Sequence, residues 1–399
     1  MALSDNTDHS ISLSKLPSPV IALVAGEASG DTLGADLIRG LKKRFPKARF
    51  IGIGGPKMQE QGLDSWFPME RLSVMGFFEV LKRLPELLRL RRQLVQRLIE
   101  TRPDVFIGVD APDFNFTVEK RLKEVGIPTV HYVGPSVWAW REKRLLKIKQ
   151  AVDGVLVLFP FETPYYDRYG IASRFVGHPL ANQVPEFPDK ERAKQQLKMG
   201  LSAEVTAILP GSRMSEIEQM AEPYFLAAEL LQKDFPQMQF VVPCVHAGAK
   251  KRLQEILGQC APNLSVLFLD GQSQLALEAC DQALVTSGTA TLECALMRRP
   301  LLLAIKLHPI THWIMKRLST TNWIGLPNVL AQETLVSELI QDQASAGNIY
   351  RELKRLIEDD VLREKQLVAF EKQYRALNCD ASSLATQAVL DWAELNEKK

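Results

Sequence analysis

Two short turns, one in each half of the 399-residue chain, combine small residues with ionisable ones where an apolar run gives way to a helical pattern. Gly26-Glu27-Ala28-Ser29-Gly30-Asp31 follows Val20-Ile21-Ala22-Leu23-Val24, and Ser287-Gly288-Thr289-Ala290-Thr291-Leu292-Glu293 follows Ala283-Leu284-Val285. Small residues at a helix start expose backbone N–H groups and the positive end of the dipole, which suits a phosphate. Glu293 stands one turn inside its helix, where a carboxylate can accept both hydroxyls of a ribose, so the second turn reads as a nucleotide site. Leu209-Pro210-Gly211-Ser212-Arg213 adds a glycine that admits a ligand to the backbone, a hydroxyl, and a guanidinium that can grip phosphate with two bonds. An ordinary strand–loop–helix junction with a surface arginine fits the same five residues. Two such turns imply an enzyme that holds a phosphorylated donor in one domain and presents an acceptor from the other.

The elements that must position these turns are legible as short apolar runs alternating with amphipathic stretches, the mark of a parallel sheet covered on both faces. In the first half the runs are Val20–Val24, Arg49–Ile53, Asp104–Val109, Thr129–Val133, Gly154–Phe159 and Arg174–Val176. The stretch from Asn182 to Asp189 carries Pro185 and Pro188 and reads as a linker. The pattern restarts with Val205–Leu209, Gln239–Pro243, Ser265–Leu269, Gln282–Thr286 and Leu301–Ile305, and strands are expected to stop near residue 330. The fold class is therefore α/β, with two doubly wound Rossmann-like domains at residues 19–185 and 186–360. A disordered tail precedes them at 1–18, and helices follow at 361–399. Ligands belong in the crevice at the carboxyl ends of the strands.

Composition narrows the class. With 46% hydrophobic and 24% charged residues, the chain can bury two cores. A net charge of +2 and a pI near 8.2 argue against a dedicated nucleic-acid binder. The five cysteines are odd in number and lack CxxC spacing, which suits neither a disulfide framework nor a zinc site. Residues 1–18 lack a signal-peptide pattern, and no run of about 18 apolar residues occurs, so the expected location is the cytoplasm.

Several segments carry a more specific pattern. They are Val24–Asp31, Gly108-Val109-Asp110-Ala111-Pro112-Asp113-Phe114-Asn115, and His131-Tyr132-Val133-Gly134-Pro135-Ser136-Val137-Trp138-Ala139-Trp140-Arg141. Leu209–Arg213, Ser287–Glu293 and Leu326-Pro327-Asn328 complete the set. In these segments the chain resembles the lipid-A-disaccharide synthase family, departing from its pattern at Gly134, where serine is expected. The resemblance implies a GT-B fold with a cleft between the domains and C-terminal helices that cross back onto the first. It implies a UDP-2,3-diacylglucosamine donor, a 2,3-diacylglucosamine 1-phosphate (lipid X) acceptor, and inversion to a β-1,6-linked disaccharide 1-phosphate. It admits a homodimer, and it calls for no cofactor.

Inversion needs one displacement and a base behind the acceptor hydroxyl. Asp110 suits that duty, since it ends the run Asp104–Val109 and matches the family's catalytic position. Asp113 suits a helix cap. Glu27, Ser29, Gly30 and Asp31 are expected on the acceptor side, although Ser29 or Asp31 equally fits a plain N-cap. His131 reads as structural, and Trp138 and Trp140 as packing. The resemblance adds Asn328 as an active-site residue. The sequence has no Asp-x-Asp motif and no metal is expected, so Arg213 and the helix start at Ser287, Gly288, Thr289 and Ala290 must answer the charge of the leaving diphosphate, with Gly211 and Ser212 beside them.

The apolar stretch from Trp66 to Leu88 runs directly into a basic cluster that begins at Lys82. With acylated substrates it reads as an interfacial element that docks Val74, Phe77, Phe78 and Leu81 on the cytoplasmic face of the inner membrane. An amphipathic helix with a core-facing stripe is the other reading. Two other functions share the nucleotide chemistry. A UDP-sugar 2-epimerase has no use for the apolar and basic flank, and a non-catalytic nucleotide-sugar binder has none for Asp110.

Overall fold

The structure, a computed structural model, describes residues 18–72, 77–140, 142–286, 288–307, 317 and 321–395. It divides into two compact units, Met1–Pro179 with Cys379–Lys399, and Leu180–Asn378. Each is built on one parallel sheet.

The first unit contains β1 (Val20–Ala25), β2 (Arg49–Ile53), β3 (Leu63–Ser65), β4 (Val105–Val109), β5 (Thr129–Tyr132), β6 (Gly154–Val157) and β7 (Ala172–Phe175). They lie in the order β3-β2-β1-β4-β5-β6-β7. The second contains β8 (Val205–Leu209), β9 (Gln239–Cys244), β10 (Val266–Asp270), β11 (Gln282–Val285), β12 (Leu301–Ile305) and β13 (Glu338–Ile340), in the order β10-β9-β8-β11-β12-β13. The central strands are apolar on both faces because helices cover both. All of β4 and β8 is buried, as is β1 beyond Val20.

Strand order reverses between β1 and β4 in the first unit and between β8 and β11 in the second. At such a switch point the connections leave in opposite directions and open a crevice at the strands' carboxyl ends. The helices that position the candidate residues are α1 (Ala28–Arg44), α2 (Phe77–Thr101), α3 (Pro112–Lys123), α4 (Met214–Asp234), α5 (Gly288–Leu296), α6 (Leu326–Ala331), α7 (Asp360–Leu377) and α8 (Ala381–Leu395). Four of them, α1, α3, α4 and α5, begin directly after β1, β4, β8 and β11.

Two sequence expectations change. Strands do not stop near residue 330, because β13 pairs with β12 as a three-residue edge strand. Nor do both C-terminal helices belong to the first unit. In α7, Gln366 accepts the Leu301 N–H at 2.9 Å and Gln373 donates to the Pro327 carbonyl at 2.8 Å, which ties the helix to the second unit. By contrast, α8 packs on the first. Its Ser382 hydroxyl donates to the Asp36 carbonyl at 2.8 Å, and its Asp391 pairs with Arg174 at 2.8 Å. Trp392 lies against Gly154, where a Cβ would come within 2.3 Å of the indole. The segment read as a linker also belongs to the second unit, whose Arg298 donates to the Pro185 carbonyl at 3.1 Å.

Candidate active site

At the first switch point, β1 and β4 end side by side, with Val24 opposite Gly108 and Ala25 opposite Val109. Asp110 follows β4 in the left-handed region at φ +53°, and Ala111 follows it at φ +44°. Two consecutive non-glycine residues in that region store strain, and such strain gathers at functional sites. The Asp110 N–H donates to the Tyr132 carbonyl at 2.8 Å, its carbonyl accepts from Asn115 Nδ2 at 2.8 Å, and its half-buried carboxylate accepts the Ala111 N–H at 2.9 Å. The turn after β1 lies alongside, since a Cβ on Gly26 would sit 3.0 Å from that of Ala111. Gly30 is buried against the end of β4, whereas Glu27 and Ser29 are exposed at the start of α1.

Neighbouring carboxylates divide in role. Asp31 is 3% exposed and accepts the N–H groups of Lys57 and Met58, both at 3.0 Å, so it caps the helix at Pro56–Glu60 and is committed to the fold. Asp113 lies in the first turn of α3, exposed and paired with Arg144. Asp110 is thus the carboxylate of this turn that faces no cationic partner in the described structure. Trp138 packs edge-on against Phe161, with ring centroids 5.0 Å apart, as read from sequence.

At the second switch point, Gly211 follows β8 at φ +121°, and a Cβ there would fall 2.4 Å from that of Glu216, so the turn requires glycine. Arg213 is the N-cap residue of α4, with its side chain 80% exposed. Glu216, three residues on, accepts the N–H groups of Ser212 at 2.9 Å and Arg213 at 3.2 Å and holds the Arg213 guanidinium at 3.2 Å. Three donors aimed where an anion would sit therefore converge on one carboxylate, which sequence reasoning missed. The glutamate at the third helical position was its signal.

After β11, Gly288 and Thr289 are exposed at the start of α5, and Ala290 is half-buried. Gly288 has φ +51°, and its carbonyl accepts from the Thr291 hydroxyl at 2.7 Å. Ser287 lies outside the described residues. Glu293 is half-buried one turn along, and burial pushes its carboxyl above the usual range. Such a group gains from hydroxyl donors that replace lost water.

Asn328, expected from the resemblance as an active-site residue, is tied into the fold. It is fully buried; its Nδ2 donates to the Val336 carbonyl at 2.9 Å and to Glu338 at 2.7 Å, and its Oδ1 accepts the N–H groups of Leu335 and Val336, both at 2.8 Å. All of its hydrogen-bonding capacity is met within the protein, so in this structure it shapes the segment around α6. Of the residues expected at a membrane, Val74 lies outside the described residues. Phe77, Phe78 and Leu81 fall in the first turns of α2, with their side chains outside the description. Among the described residues, no helix is long and apolar enough to cross a membrane and no group of three or more His, Cys, Asp or Glu could hold a metal ion.

The chain is similar to known proteins in sequence and in fold. The family model for lipid-A-disaccharide synthetase matches residues 21–391. The lipid-A-disaccharide synthase of Hydrogenovibrio crunogenus is 62% identical over 373 residues, covering 94% of this chain and 99% of the relative. That of Pseudomonas paraeruginosa is 49% identical over 374 residues, covering 94% and 98%. Among solved structures, the UDP-GlcNAc 2-epimerase of Neisseria meningitidis bound to UDP-GlcNAc superposes with a TM-score of 0.58 at 13% identity, covering 96% of this chain and 100% of its own. The calicheamicin glycosyltransferase CalG4 superposes with a TM-score of 0.56 at 14% identity, covering 94% and 98%. These two share the fold. The match along nearly the whole sequence identifies more: the chain belongs to the lipid-A-disaccharide synthase family, UDP-sugar glycosyltransferases of GT-B fold.

Proposed function

We propose that the chain transfers a 2,3-diacylglucosaminyl group from UDP to the 6-hydroxyl of 2,3-diacylglucosamine 1-phosphate, in one inverting displacement based on Asp110. As the acceptor oxygen forms its bond to the anomeric carbon, Asp110 takes the hydroxyl proton. The bond from that carbon to the diphosphate breaks, and UDP leaves with the electron pair through an oxocarbenium-like transition state. The observation that carries this reading is the pair of left-handed residues, Asp110 and Ala111, at the end of a switch-point strand. Such a backbone is unfavourable and persists only where its surroundings enforce it, here to present a carboxylate. Glu27 and Ser29, exposed beside it, are suited to sugar hydroxyls.

The second unit supplies the nucleotide site. Arg213 and the start of α5 at Ser287–Ala290 meet the charge that develops on the diphosphate, and Glu293 accepts the ribose hydroxyls. Gly211 and Ser212 shape the turn that carries Arg213. Asn328 acts at one remove, by holding the segment around α6.

The same reading places the protein peripherally on the cytoplasmic face of the inner membrane, through residues 66–88. On α2, Leu84 and Leu88 are 41% and 44% exposed beside exposed Arg89 and Arg92. Apolar and basic groups side by side suit an anionic lipid surface.

Replacing Asp110 by Asn tests the base. Transfer should fall about 10²- to 10⁴-fold while UDP binding stays within about twofold, because the amide cannot accept the proton. UDP release measured with and without lipid X separates this activity from epimerisation, since only transfer needs the acceptor. An Asn variant that turns over within a few-fold of wild type would remove Asp110 from the mechanism.

A further inference from the structure

Beneath Asp110 lies a column of buried polar side chains that the proposed chemistry leaves unused. Asn115, on the first turns of α3, is fully buried. Its Nδ2 donates both to the Asp110 carbonyl at 2.8 Å and to the Val24 carbonyl at 3.2 Å, so one amide ties together the ends of β4 and β1. Glu119, one turn further along α3, and His131, on β5, are also fully buried, and Glu119 Oε1 lies 2.7 Å from His131 Nδ1. Phe116 covers the imidazole, with ring centroids 4.3 Å apart.

The column fits closely against β4. Gly108 stands opposite His131 in register, and a Cβ there would lie 2.2 Å from Glu119 Oε1 and 2.9 Å from the Asn115 Cβ. The glycine therefore lets α3 sit at a depth that no other residue allows. This arrangement is a poor way to stabilise a fold. Asn115 Oδ1, Glu119 Oε2 and His131 Nε2 are buried with no hydrogen-bond partner in the protein. Well-packed apolar residues of similar volume commonly serve stability as well or better than a buried ionisable pair. What the column does achieve is directional: it holds the Asp110 carbonyl, and with it the left-handed turn, from behind.

We infer that Asn115 is a positioning residue for the transfer step. It fixes the Asp110 carbonyl so that the carboxylate faces the acceptor, while the Glu119–His131 pair holds α3 at the depth this requires. The inference rests on Asp110 being the base. Asn115 itself need not touch either substrate, so its loss should appear in kcat and not in binding.

The test replaces Asn115 by Leu, similar in size but unable to donate, and by Ala, which removes the amide without adding bulk. Rates are normalised to the fraction of protein that binds lipid X, measured as calorimetric stoichiometry, because the proposed acceptor turn shares the first unit with Asn115 and a preparation unfolded there then does not mimic a catalytic loss. Both variants should lower kcat roughly 10- to 100-fold, the scale of an ångström-sized misplacement of a reacting group. KM for lipid X and Kd for UDP should stay within about twofold. On an Asp110→Ala background the same substitutions should change residual transfer less than twofold, because the group they position is gone. His131→Asn, whose amide can either donate to or accept from Glu119, should retain most of the activity that His131→Leu loses.

Wild-type kcat in the folded fraction of Asn115→Ala would overturn the inference, as would an equal fold-loss on both backgrounds. A fully active Asp110→Ala would instead remove the base assignment beneath it. An inactive Asp110→Ala beside a fully active Asn115→Ala would sink this inference alone.

Discussion

Replacing Arg213 by Ala should weaken UDP and leave uridine almost untouched, because the guanidinium is assigned to the diphosphate. The magnitude follows from what Arg213 gives up and gains. In the free protein its side chain is 80% exposed and 3.2 Å from the largely buried Glu216, a pair whose cationic end is in solvent and which is worth about 0.3–0.5 kcal/mol. Hydrogen bonds from a cation to a diphosphate contribute about 1.5–3 kcal/mol. The net loss of roughly 1–2.5 kcal/mol corresponds to about a five- to sixty-fold weaker Kd for UDP. Exposure also means that the substitution should leave the melting temperature unchanged. Glu293→Ala should weaken UDP and uridine alike, since both present the ribose. Burial raises the Glu293 carboxyl, so affinity for both ligands should begin to fall, as pH is lowered, above the range of an ordinary carboxylate. Glu216→Gln keeps an oxygen for the Ser212 and Arg213 N–H groups but releases the guanidinium, so UDP should bind about twofold tighter and uridine unchanged. Calorimetric titration of the three variants with both ligands separates these effects. Equal losses of UDP and uridine in Arg213→Ala would refute the phosphate assignment, and a weaker UDP affinity in Glu216→Gln would show that the ion pair serves the turn more than it competes with the ligand.

Stability should carry a second pH signature. Glu162 is 3% exposed, and burial pushes its carboxyl up to about 7. The protonated form thus favours the fold, a contribution complete below the ordinary value of 4.5 and lost as pH rises through 7. Glu162→Gln should escape that loss, gaining about 3 kcal/mol relative to wild type between pH 4.5 and 8 in urea unfolding; a constant difference across that range would contradict it. For the membrane, Ser at Val74, Phe77, Phe78 and Leu81 should abolish flotation with anionic vesicles at low salt while leaving the thermal melt intact. A variant that still floats, or melts far below wild type, would exclude this stretch as the docking surface.

The strands that build each switch point were legible because they are buried on both faces. Ile21–Ala25 is an unbroken apolar run and Val205–Leu209 is interrupted only by the buried Thr206, and few other structures give that pattern. The edges were not. β3 and β13 are three residues each, and both contain an acidic residue, Asp64 and Glu338, so neither presents a run to read. The C-terminal helices were misassigned as a pair for a related reason. Helical periodicity gives a buried face but not the identity of what buries it, and Gln366 and Gln373 name the second unit only once their partners at Leu301 and Pro327 are placed.

The site divides along the same line, between local and distant causes. Gly211 announces its turn because its need for glycine arises within five residues, where a side chain would strike Glu216. Asn328 lies in an equally recognisable motif, yet its four hydrogen bonds run to residues 335–338, so the motif marked importance without saying of what kind. The two groups assigned to chemistry are held in opposite ways. Asp110 is fixed through its backbone by the buried Asn115, which costs unsatisfied polar atoms and yields a carboxylate with little freedom. Arg213 is held through its solvent-exposed side chain by a single ion pair that costs little to break. A base acting on a neutral hydroxyl gains from rigidity, because its contribution depends on orientation. A cation that must follow the departing diphosphate gains from a tether it can leave. That difference in restraint, read from burial and partner type, fits the two proposed duties, where residue type alone assigns both only to charged groups in loops.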